Sequence, residues 1–511
     1  MTDEAAFTMD RRTALKTTLG AGTLALAGCL AGGDEDEFRI GSPWDVGRDP
    51  LEDGHALRRL GITEALVSVD YDAEPAPGLA TDWERVEDTR WEFSLREDVV
   101  FHDGEELTAA VVVDSLERTV ESEAFAGVPI TAVEAVDDAT VAVETESAFA
   151  PLPAHLSRHE AVILSPGSFE DGELVEPIGT GPFVFESMQT GVELRAVRSD
   201  DYYGETPNFE TVRYEVVEDD QTRRMTLENG ELEMARILPQ ETVSDLEETE
   251  GIDVYTPEIP RIRFLTFDTT TEPFDDRRVR QAVNYAVDRQ ELTESVLEGV
   301  DDSAVGPISP EMTDWADPDL EESLYDPDRA RQLLEDVGWT TGSEEVRTRD
   351  GEEFSIEVVT FNARSLPLIA EVLQGQLAEV GIDLEISVVE YGTMLDQVSQ
   401  DAFDAYLTSW GTLWYPDPDR LADMFHSEGD LHHGYENEGV DALLEEAREL
   451  EDPEERTERY HEVQRTVLED APIAVLTSYT NVVATASEVS GYEPHPTEIS
   501  YGLETVSLDA E

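Results

Sequence analysis

The sequence predicts an α/β protein whose strands are mostly parallel. Between residues 353 and 410, the strand-like segments "EFSIEVVTF", "IDLEISVVE" and "FDAYLTSW" are separated by helical spacing in "SLPLIAEVLQGQLAEV" and around 393–399. Gly381 follows the first of these helices, where a glycine commonly ends a helix. Because β-α-β order produces parallel strands, we expect a ligand crevice at the carboxyl ends of these strands.

Other elements follow from periodicity and capping residues. Trp91, Phe93 and Leu95 alternate as in a half-buried strand, and Thr108 is placed to cap a helix that continues to about Val120. "ITAVEAVDDATVAVETE" predicts a hairpin that turns at its Asp-Asp pair. We also predict a strand from residue 212, a helix over 222–230 and one long helix over 275–298.

The first residues have the three parts of an export signal. Arg11 and Arg12 with Lys16 precede an apolar run over 19–28, and small residues lead to Cys29. The paired arginines resemble a twin-arginine signal, and "LAGC" resembles a lipobox, in which the cysteine takes a lipid. We therefore expect 1–28 to be a twin-arginine lipoprotein signal that is removed, and 29–37 an acidic tether. The alternative is an ordinary cleavage region with a chance cysteine.

The apolar run also decides the expected location of the protein. A bilayer crossing needs roughly 20 strongly apolar residues, and this run is about half that length. Lipid on Cys29 would anchor the exported protein to the outer face of the cytoplasmic membrane without spanning it.

The charge balance is extreme. Asp and Glu number 118 against 34 Lys plus Arg, which gives a formal net charge of -84, and Lys16 is the single lysine. Such repulsion is mostly screened at molar salt, where the Debye length is about 3 Å. The composition therefore resembles adaptation to high salt, as in haloarchaea. Intrinsic disorder is the competing interpretation, and a hydrophobic content of 40% argues against it. Nucleic acid is excluded as a partner of this surface.

The sequence lacks the signatures of an enzyme. A mature chain without lysine has no P-loop or Schiff-base lysine, and no Gly-x-Ser-x-Gly nucleophile motif occurs. Carboxylate pairs carry little information where nearly one residue in four is acidic. His426, His432 and His433 lie close together on a polar loop without a metal-binding spacing, so solvation is the simpler interpretation, and His432 is kept as an alternative metal ligand. We expect no catalytic residue and no cofactor.

Several ordered segments resemble one family. They are "EDTRWEFSLREDVVFHDGEELTAAVVVDSL", "PIGTGPFVFE", "SDDYYGETPNFETVRYEVVEDDQTRRMTLENGELEMA", "FDDRRVRQAVNYAVDRQELTESVLEG", "YDPDRARQLLEDVGW" and "FDAYLTSWGTLWYPDPD". Together they resemble the family 5 solute-binding proteins of ABC importers, the receptors for dipeptides, oligopeptides and nickel. A lipoprotein signal agrees with such a receptor, because the solute must be captured outside the cell.

The resemblance implies a type II periplasmic-binding-protein fold with two lobes joined by hinge strands. Lobe 1 would comprise 38–70, 177–262 and 481–511, with an inserted extra domain at 71–176, and lobe 2 would comprise 263–480. Such receptors are expected to act as monomers, close around a ligand by hinge rotation, and present the closed form to ABC permease subunits.

The resemblance also implies candidate ligand contacts. In peptide-binding members, an aspartate three residues after the tryptophan of the "SW" strand pairs with the ligand's ammonium group, and here that position is Leu413. Asp417 is the nearest substitute, and a turn cap before Pro418 is its alternative role. Trp410 and Gly411 end the strand and should face the cleft, whereas simple core packing is the alternative for Trp410.

Three further residues complete the candidates. Trp414 and Tyr415 are either cleft walls or packing between lobes, and Arg158, beside His159, aligns with the arginine of nickel-binding members or pairs with surface acids. The first function hypothesis is a peptide receptor. A receptor for a nickel chelate or another small solute is the second, and an extracellular hydrolase is the remote third.

Overall fold

The structure is a computed structural model that describes residues 36–205, 207–309, 314–322, 324–341, 346–411 and 415–508. The predicted signal, Cys29, Leu413 and Trp414 lie outside the described residues. None of the described helices combines the length and apolar character that a bilayer crossing requires.

A seven-stranded sheet collects strands from both ends of the chain. Its order is β12-β13-β14-β1-β15-β26-β16, with β1 parallel to β14 and β15 and the other pairs antiparallel. Phe38 and Ile40 of β1 alternate into its core. The elements that precede and begin this sheet are β1 (Glu37–Ser42), α1 (His55–Arg59), β2 (Glu64–Ala65), β3 (Val67–Val69) and β4 (Pro75–Pro77).

A four-stranded antiparallel sheet of order β5-β6-β8-β7 follows, with a separate core. The strand over Trp91–Leu95 and the hairpin are confirmed, and the Thr108 side chain accepts the Val111 N–H at the start of the predicted helix. The bounds are β5 (Ala80–Glu87), β6 (Arg90–Leu95), α2 (Ala109–Val120), β7 (Ile130–Asp137), β8 (Thr140–Thr145), α3 (Leu152–His155), β9 (Val162–Ile163), β10 (Phe169–Glu170) and β11 (Glu173–Leu174).

The chain then completes most of the seven-stranded sheet. The predicted strand from residue 212 and the helix after it are both present, and Asp219 caps that helix by accepting the Thr222 N–H. The bounds are β12 (Phe183–Gln189), β13 (Glu193–Arg198), β14 (Thr211–Val216), α4 (Asp220–Glu228), β15 (Met234–Arg236), α5 (Val243–Glu247) and β16 (Ile252–Tyr255).

Residues 258–480 build a six-stranded sheet of order β18-β25-β17-β24-β22-β23 with helices around it. The first elements are β17 (Glu258–Phe267), α6 (Arg277–Ala286), α7 (Arg289–Glu291), β18 (Asp302–Ser303), α8 (Pro327–Asp336), β19 (Thr340–Thr341), β20 (Arg347–Arg349) and β21 (Glu352–Glu353). The later elements are β22 (Ser355–Phe361), α9 (Leu366–Glu379), β23 (Asp383–Val389), α10 (Tyr391–Ser399), β24 (Ala405–Gly411), α11 (Leu421–Phe425), α12 (Glu438–Glu449), α13 (Pro453–Asp470) and β25 (Ile473–Thr480).

The β-α-β prediction is confirmed for β22, β23 and β24, which are parallel. Gly381 follows α9 with a positive φ of 85°, a conformation that favours glycine. The prediction of a mostly parallel sheet is wrong for the rest, because β17 and β25 enter and leave the sheet as antiparallel neighbours.

The predicted single helix over 275–298 is divided. Helix α6 ends at Ala286, Val287 is extended, and the Asp288 side chain starts α7 by accepting the Glu291 N–H. A π-helical turn over Leu292–Val296 follows. Asp288 therefore acts as a new N-cap inside a segment whose apolar periodicity suggested one continuous helix.

The two large sheets are joined by two adjacent connections. One runs from β16 to β17 and the other from β25 to β26 (Val483–Ala486), and the Asn481 N–H donates to the Pro257 carbonyl at 2.9 Å. The last elements, β27 (Val489–Ser490) and β28 (Ser507–Leu508), form a small ribbon. The paired connections have the arrangement of hinge strands, while the numbered boundaries of lobe 1, lobe 2 and the inserted domain stay predictions.

Candidate functional site

A cavity of about 510 Å³ lies where elements of the two large sheets face each other. On the side of the seven-stranded sheet it is lined by Trp44, His55 and Arg59, together with His159 from the turn after α3. On the side of the six-stranded sheet it is lined by Phe361, Arg364, Tyr391 and Trp410. This volume is within the range of about 300–1,000 Å³ that small-molecule sites occupy.

The carboxyl ends of the three parallel strands form one wall of this cavity. Phe361 ends β22, Tyr391 follows β23, and Trp410 is the penultimate residue of β24. Trp410 is half-buried, and the Arg420 guanidinium lies 4.4 Å from its ring centroid. The neighbouring Gly411 pairs with Arg261 in the sheet. The crevice is therefore at the strand ends, as the β-α-β order predicts.

Glu498 is a buried carboxylate held by two arginines of this wall. It accepts hydrogen bonds from Arg261, with Nε at 3.0 Å, and from Arg364 Nη2 at 2.7 Å. Burial alone would raise the pKa of Glu498, but the two guanidinium groups hold it well below its usual range. Burial and the positive charge of Arg364 lower the pKa of Arg261 to about 10, so both arginines stay charged at neutral pH. Arg261, Arg364 and Glu498 together carry one net positive charge.

A second cluster places two neutral histidines on the opposite wall. The ring centroids of His55 and His159 are 6.3 Å apart. Burial lowers the pKa of His159 to about 4 and the pKa of His55 well below its usual value. Within the described part of the chain, His55 Nε2 is buried without a hydrogen-bond partner. Both rings are therefore uncharged at neutral pH, and Nε2 of His55 can offer a lone pair to a ligand.

Two of the four acidic residues that line the cavity, Glu160 and Glu498, are paired with arginines. Glu160 lies 2.9 Å from Arg158 Nη2 and 3.1 Å from His159 Nδ1. Burial raises the pKa of Glu160, but its interactions with His159 and with the Arg158 guanidinium outweigh burial and lower the pKa to about 2. Glu52 and Asp53 are exposed at the edge and form no ion pair with a described residue. Arg59 and Arg420 also line the cavity, and Arg420 pairs with Asp423 at 3.2 Å. Four arginines and four carboxylates balance over the whole lining, but without Glu52 and Asp53 at the edge the arginines outnumber the carboxylates, so the interior has a net positive charge.

The structure gives Asp417 a buried partner away from this cavity. Both carboxylate oxygens of Asp417 accept Arg456 Nη2 at 3.0 Å, and Oδ1 also accepts the Asp419 N–H at the start of the turn Pro418–Arg420. Burial raises the pKa of Asp417, and Arg456 opposes that shift. Asp417 therefore has the alternative role of a turn cap together with an ion pair, and its ligand contact stays a prediction without support from this geometry.

Tyr415 and Arg158 belong to a packed interface beside the cavity. The ring centroid of Tyr415 is 4.3 Å from that of His155, and the Arg158 guanidinium lies 5.7 Å from the Tyr415 ring. Both residues are buried, and Arg158 also donates to the Ala124 carbonyl at 3.0 Å. Tyr415 thus packs between two parts of the chain, and Arg158 pairs with an acid in a buried position instead of at the surface.

The same interface contains a buried network of polar side chains. His155 Nε2 lies 3.0 Å from Asp419 Oδ2, and Arg448 Nε donates to Asp419 Oδ1 at 2.6 Å. The Ala150 N–H donates to the Arg448 carbonyl at 2.7 Å. These contacts join the region of the four-stranded sheet to the helices around the six-stranded sheet.

The histidines of the predicted loop do not line the cavity, although Leu431 of the same loop does. His432 Nδ1 lies 3.2 Å from the Tyr435 carbonyl oxygen, and His433 contacts Tyr406 and Asp401. Among the residues that the structure describes, no group of three or more His, Cys, Asp or Glu side chains could hold a metal ion.

Sequence reasoning missed most of the polar cavity residues. His55, Arg59, Arg364 and Glu498 come from four distant segments and share no local motif. The one available signal for His55, Arg59 and Arg364 is that they are basic or neutral groups in a strongly acidic chain, and Glu498 has no signal of its own. The sequence draws attention to His159 only because it follows Arg158.

Comparison with known proteins agrees with this architecture. A family model described as "Bacterial extracellular solute-binding proteins, family 5 Middle" matches residues 74–432. The chain is 27% identical to the dipeptide-binding protein of Escherichia coli (strain K12), over 92% of this chain and 91% of that protein. It is 24% identical to the nickel-binding periplasmic protein of the same strain, over 90% and 93%. Both relatives are named as binding proteins.

Solved structures confirm the expected fold. The oligopeptide-binding protein AppA from Bacillus subtilis in complex with a nonapeptide has a TM-score of 0.83 at 24% identity, covering 93% of this chain and 99% of that chain. NikA from Staphylococcus aureus in complex with Ni(L-His)2 has a TM-score of 0.83 at 22% identity, covering 92% and 99%. Since the family model spans more than half of the sequence, the chain belongs to the extracellular solute-binding proteins of family 5.

Proposed function

We propose that this protein is the solute receptor of an ABC importer, and that it binds a small carboxylate-bearing solute in the 510 Å³ cavity. The positive interior of that cavity carries the proposal. Arginine side chains bind carboxylates through charge-assisted, often bidentate hydrogen bonds. A ligand with free carboxylates would therefore be stabilised there, whereas an ammonium group would meet mostly positive neighbours.

Within this class, we favour a nickel chelate over a peptide. The carboxylates of a chelator can approach Arg364 and Arg420, and the neutral imidazole of His55 or His159 suits a nickel ion that keeps an open position. Size points the same way, since a compact cavity of 510 Å³ is about 10 Å across while an extended nonapeptide spans roughly 30 Å. The 24% identity to a nickel-binding protein is consistent with this choice.

A short peptide is the second candidate, and a specific observation favours it. Glu52 and Asp53 at the edge of the cavity are carboxylates without an ion pair among the described residues, so they could accept the ammonium group of a dipeptide whose carboxylate lies on the arginines. The 27% identity to a dipeptide-binding protein supports this alternative.

Calorimetric titration in molar salt distinguishes the two solutes. Nickel with excess L-histidine should bind the parent, and His55→Ala should weaken that binding at least tenfold. The matched control is His426→Ala, whose ring lies near Glu445 away from the cavity. The peptide receptor would be established instead if dipeptide binding survived His55→Ala and were lost in the double variant Glu52→Gln, Asp53→Asn. If a folded protein bound neither solute, the proposed solute class would be wrong.

We also propose that the receptor is exported, held on the membrane by lipid at Cys29, and active at high salt as a monomer. The support is the sequence "LAGC" and the net charge of -84. In this arrangement lobe 1 and lobe 2 close over the solute, and the permease subunits recognise the closed form. Cys29→Ser should release the intact protein from the membrane fraction into the medium. Membrane retention of that variant would exclude the lipid anchor.

A further inference from the structure

A second cavity of about 340 Å³ lies beside the first, between the end of helix α1 and the segment around Arg96 that follows β6. Helix α1 contributes to both cavities, since Arg58 lines the second cavity and its neighbour Arg59 lines the first. The Tyr501 N–H donates to the Arg59 carbonyl at 2.9 Å. No described residue lines both cavities, so the second cavity is a separate site.

Two arginines of the second cavity, Arg58 and Arg96, form no ion pair with a carboxylate among the residues that the structure describes. Within the described residues, Arg58 forms no ion pair, and its buried Nε has no hydrogen-bond partner. Arg96 makes two long contacts of 3.3 and 3.4 Å to the Gly78 carbonyl and lies 4.8 Å from the Tyr203 ring centroid. In a chain with 118 acidic and 34 basic residues, arginines without a carboxylate partner are unexpected.

The cavity also holds two carboxylates, Glu64 and Glu504, and neither forms an ion pair with Arg58 or Arg96. Glu64 accepts the hydroxyls of Tyr203 at 2.7 Å and Thr180 at 2.8 Å, so neutral donors satisfy it. Glu504 forms no ion pair with any described residue, and burial raises its pKa. Arg58 and Glu504 therefore line the same cavity without forming an ion pair, although each is close enough to shift the pKa of the other.

Separated charges of this kind are costly to bury unless something compensates them. A molecule with a carboxylate at one end and an ammonium group at the other would compensate both. Tyr71, which is 47% exposed, also lines the cavity and offers an aromatic face to a cation. The volume of 340 Å³ is large enough for such a solute.

We propose that this second cavity binds a small zwitterion of the α-amino-acid class. Its carboxylate lies on the guanidinium groups of Arg58 and Arg96, and its ammonium group faces Glu504 and the ring of Tyr71. The site is independent of the solute that occupies the first cavity.

The test compares L-alanine with its two halves, propionate and ethylamine, by calorimetry on the full chain in molar salt. The Trp410→Ala background removes a wall of the first cavity, so that binding there contributes little. L-Alanine should bind at least tenfold more tightly than either half. Arg58→Gln should weaken L-alanine at least tenfold, since a charge-assisted hydrogen bond is lost. The control Arg278→Gln changes a half-exposed arginine paired with Asp276 and should leave binding unchanged.

Glu504→Gln provides the second arm and changes the specificity. It should weaken L-alanine and make propionate bind as tightly as L-alanine, because the partner of the ammonium group is gone. Any of three results would overturn the proposal. These are equal binding of propionate and L-alanine to the parent, unchanged binding of L-alanine in Arg58→Gln, and no binding of L-alanine to the parent. If Arg58→Gln does not melt cooperatively, Glu504→Gln alone decides.

Discussion

Replacing Asp417 with Asn separates a structural role from a ligand contact. Asp417 and its partner Arg456 are 4% and 6% exposed, and removing one member of such a buried pair costs about 3–5 kcal/mol because the other charge is left uncompensated. Asparagine keeps the volume and can still accept the Asp419 N–H, so the loss reports the charge. With about 2–4 °C per kcal/mol for a unit of some 220 residues, the melting temperature should fall by roughly 6–20 °C.

The assay is a thermal melt by circular dichroism in molar salt, followed by calorimetric titration of the folded variant with solute. We expect the lower melting temperature and an unchanged solute affinity. The control is Asp328→Asn, which removes a carboxylate that is 94% exposed and pairs with Arg331 at 2.7 Å, so it should shift the melt little. A variant Asp417→Asn that melts like the parent but loses solute affinity tenfold would refute the structural role and restore Asp417 as a ligand contact.

Three further predictions follow from the first cavity, from the buried network of His155 and Asp419, and from the composition. Trp410→Ala should weaken solute binding about tenfold in a fluorescence or calorimetric titration through the loss of an aromatic wall, and an unchanged affinity would exclude Trp410 from the site. Burial lowers the pKa of His155 to about 4 from about 6.5 when unfolded, so the unfolded state takes up a proton first and stability should fall between pH 6.5 and 4. Urea melts should then show a smaller loss between these pH values for His155→Gln than for the parent, and equal losses would contradict the assignment. Dialysis to about 0.1 M salt should abolish cooperative melting, because carboxylate repulsion is no longer screened, and equal melting temperatures at low and molar salt would refute this.

The sequence is most informative where the signal is local. The segment from β22 to β24 is predicted with bounds within two residues, since strand alternation, helical spacing and Gly381 are all read from neighbouring positions. That local order also places Trp410 at a strand end, and the strand end lines the cavity. The break after Ala286 shows the limit, because the cap at Asp288 competes with a periodicity that continues through it.

Polar partners are not predictable from this sequence. Arg456 is 39 positions from Asp417, and Glu498 is 134 positions from Arg364. In a chain where nearly one residue in four is acidic, every arginine has many nominal partners, so charge alone cannot select the right one. For the same reason the sequence does not single out the arginines of the second cavity. Only the structure shows that they form no ion pair with a described carboxylate.

The order of strands in the seven-stranded sheet has a consequence for synthesis on the ribosome. Strand β26 lies between β15 and β16, yet about 230 residues separate Tyr255 from Val483. At 5–20 residues per second, that interval lasts roughly 10–45 s. During this interval β15 and β16 of the nascent chain have edges that are not yet paired with β26. Residues 258–480 can already fold as a unit in that time. Release of the C-terminal segment is therefore the step that closes the first sheet, and protection of those edges against other chains is needed until then.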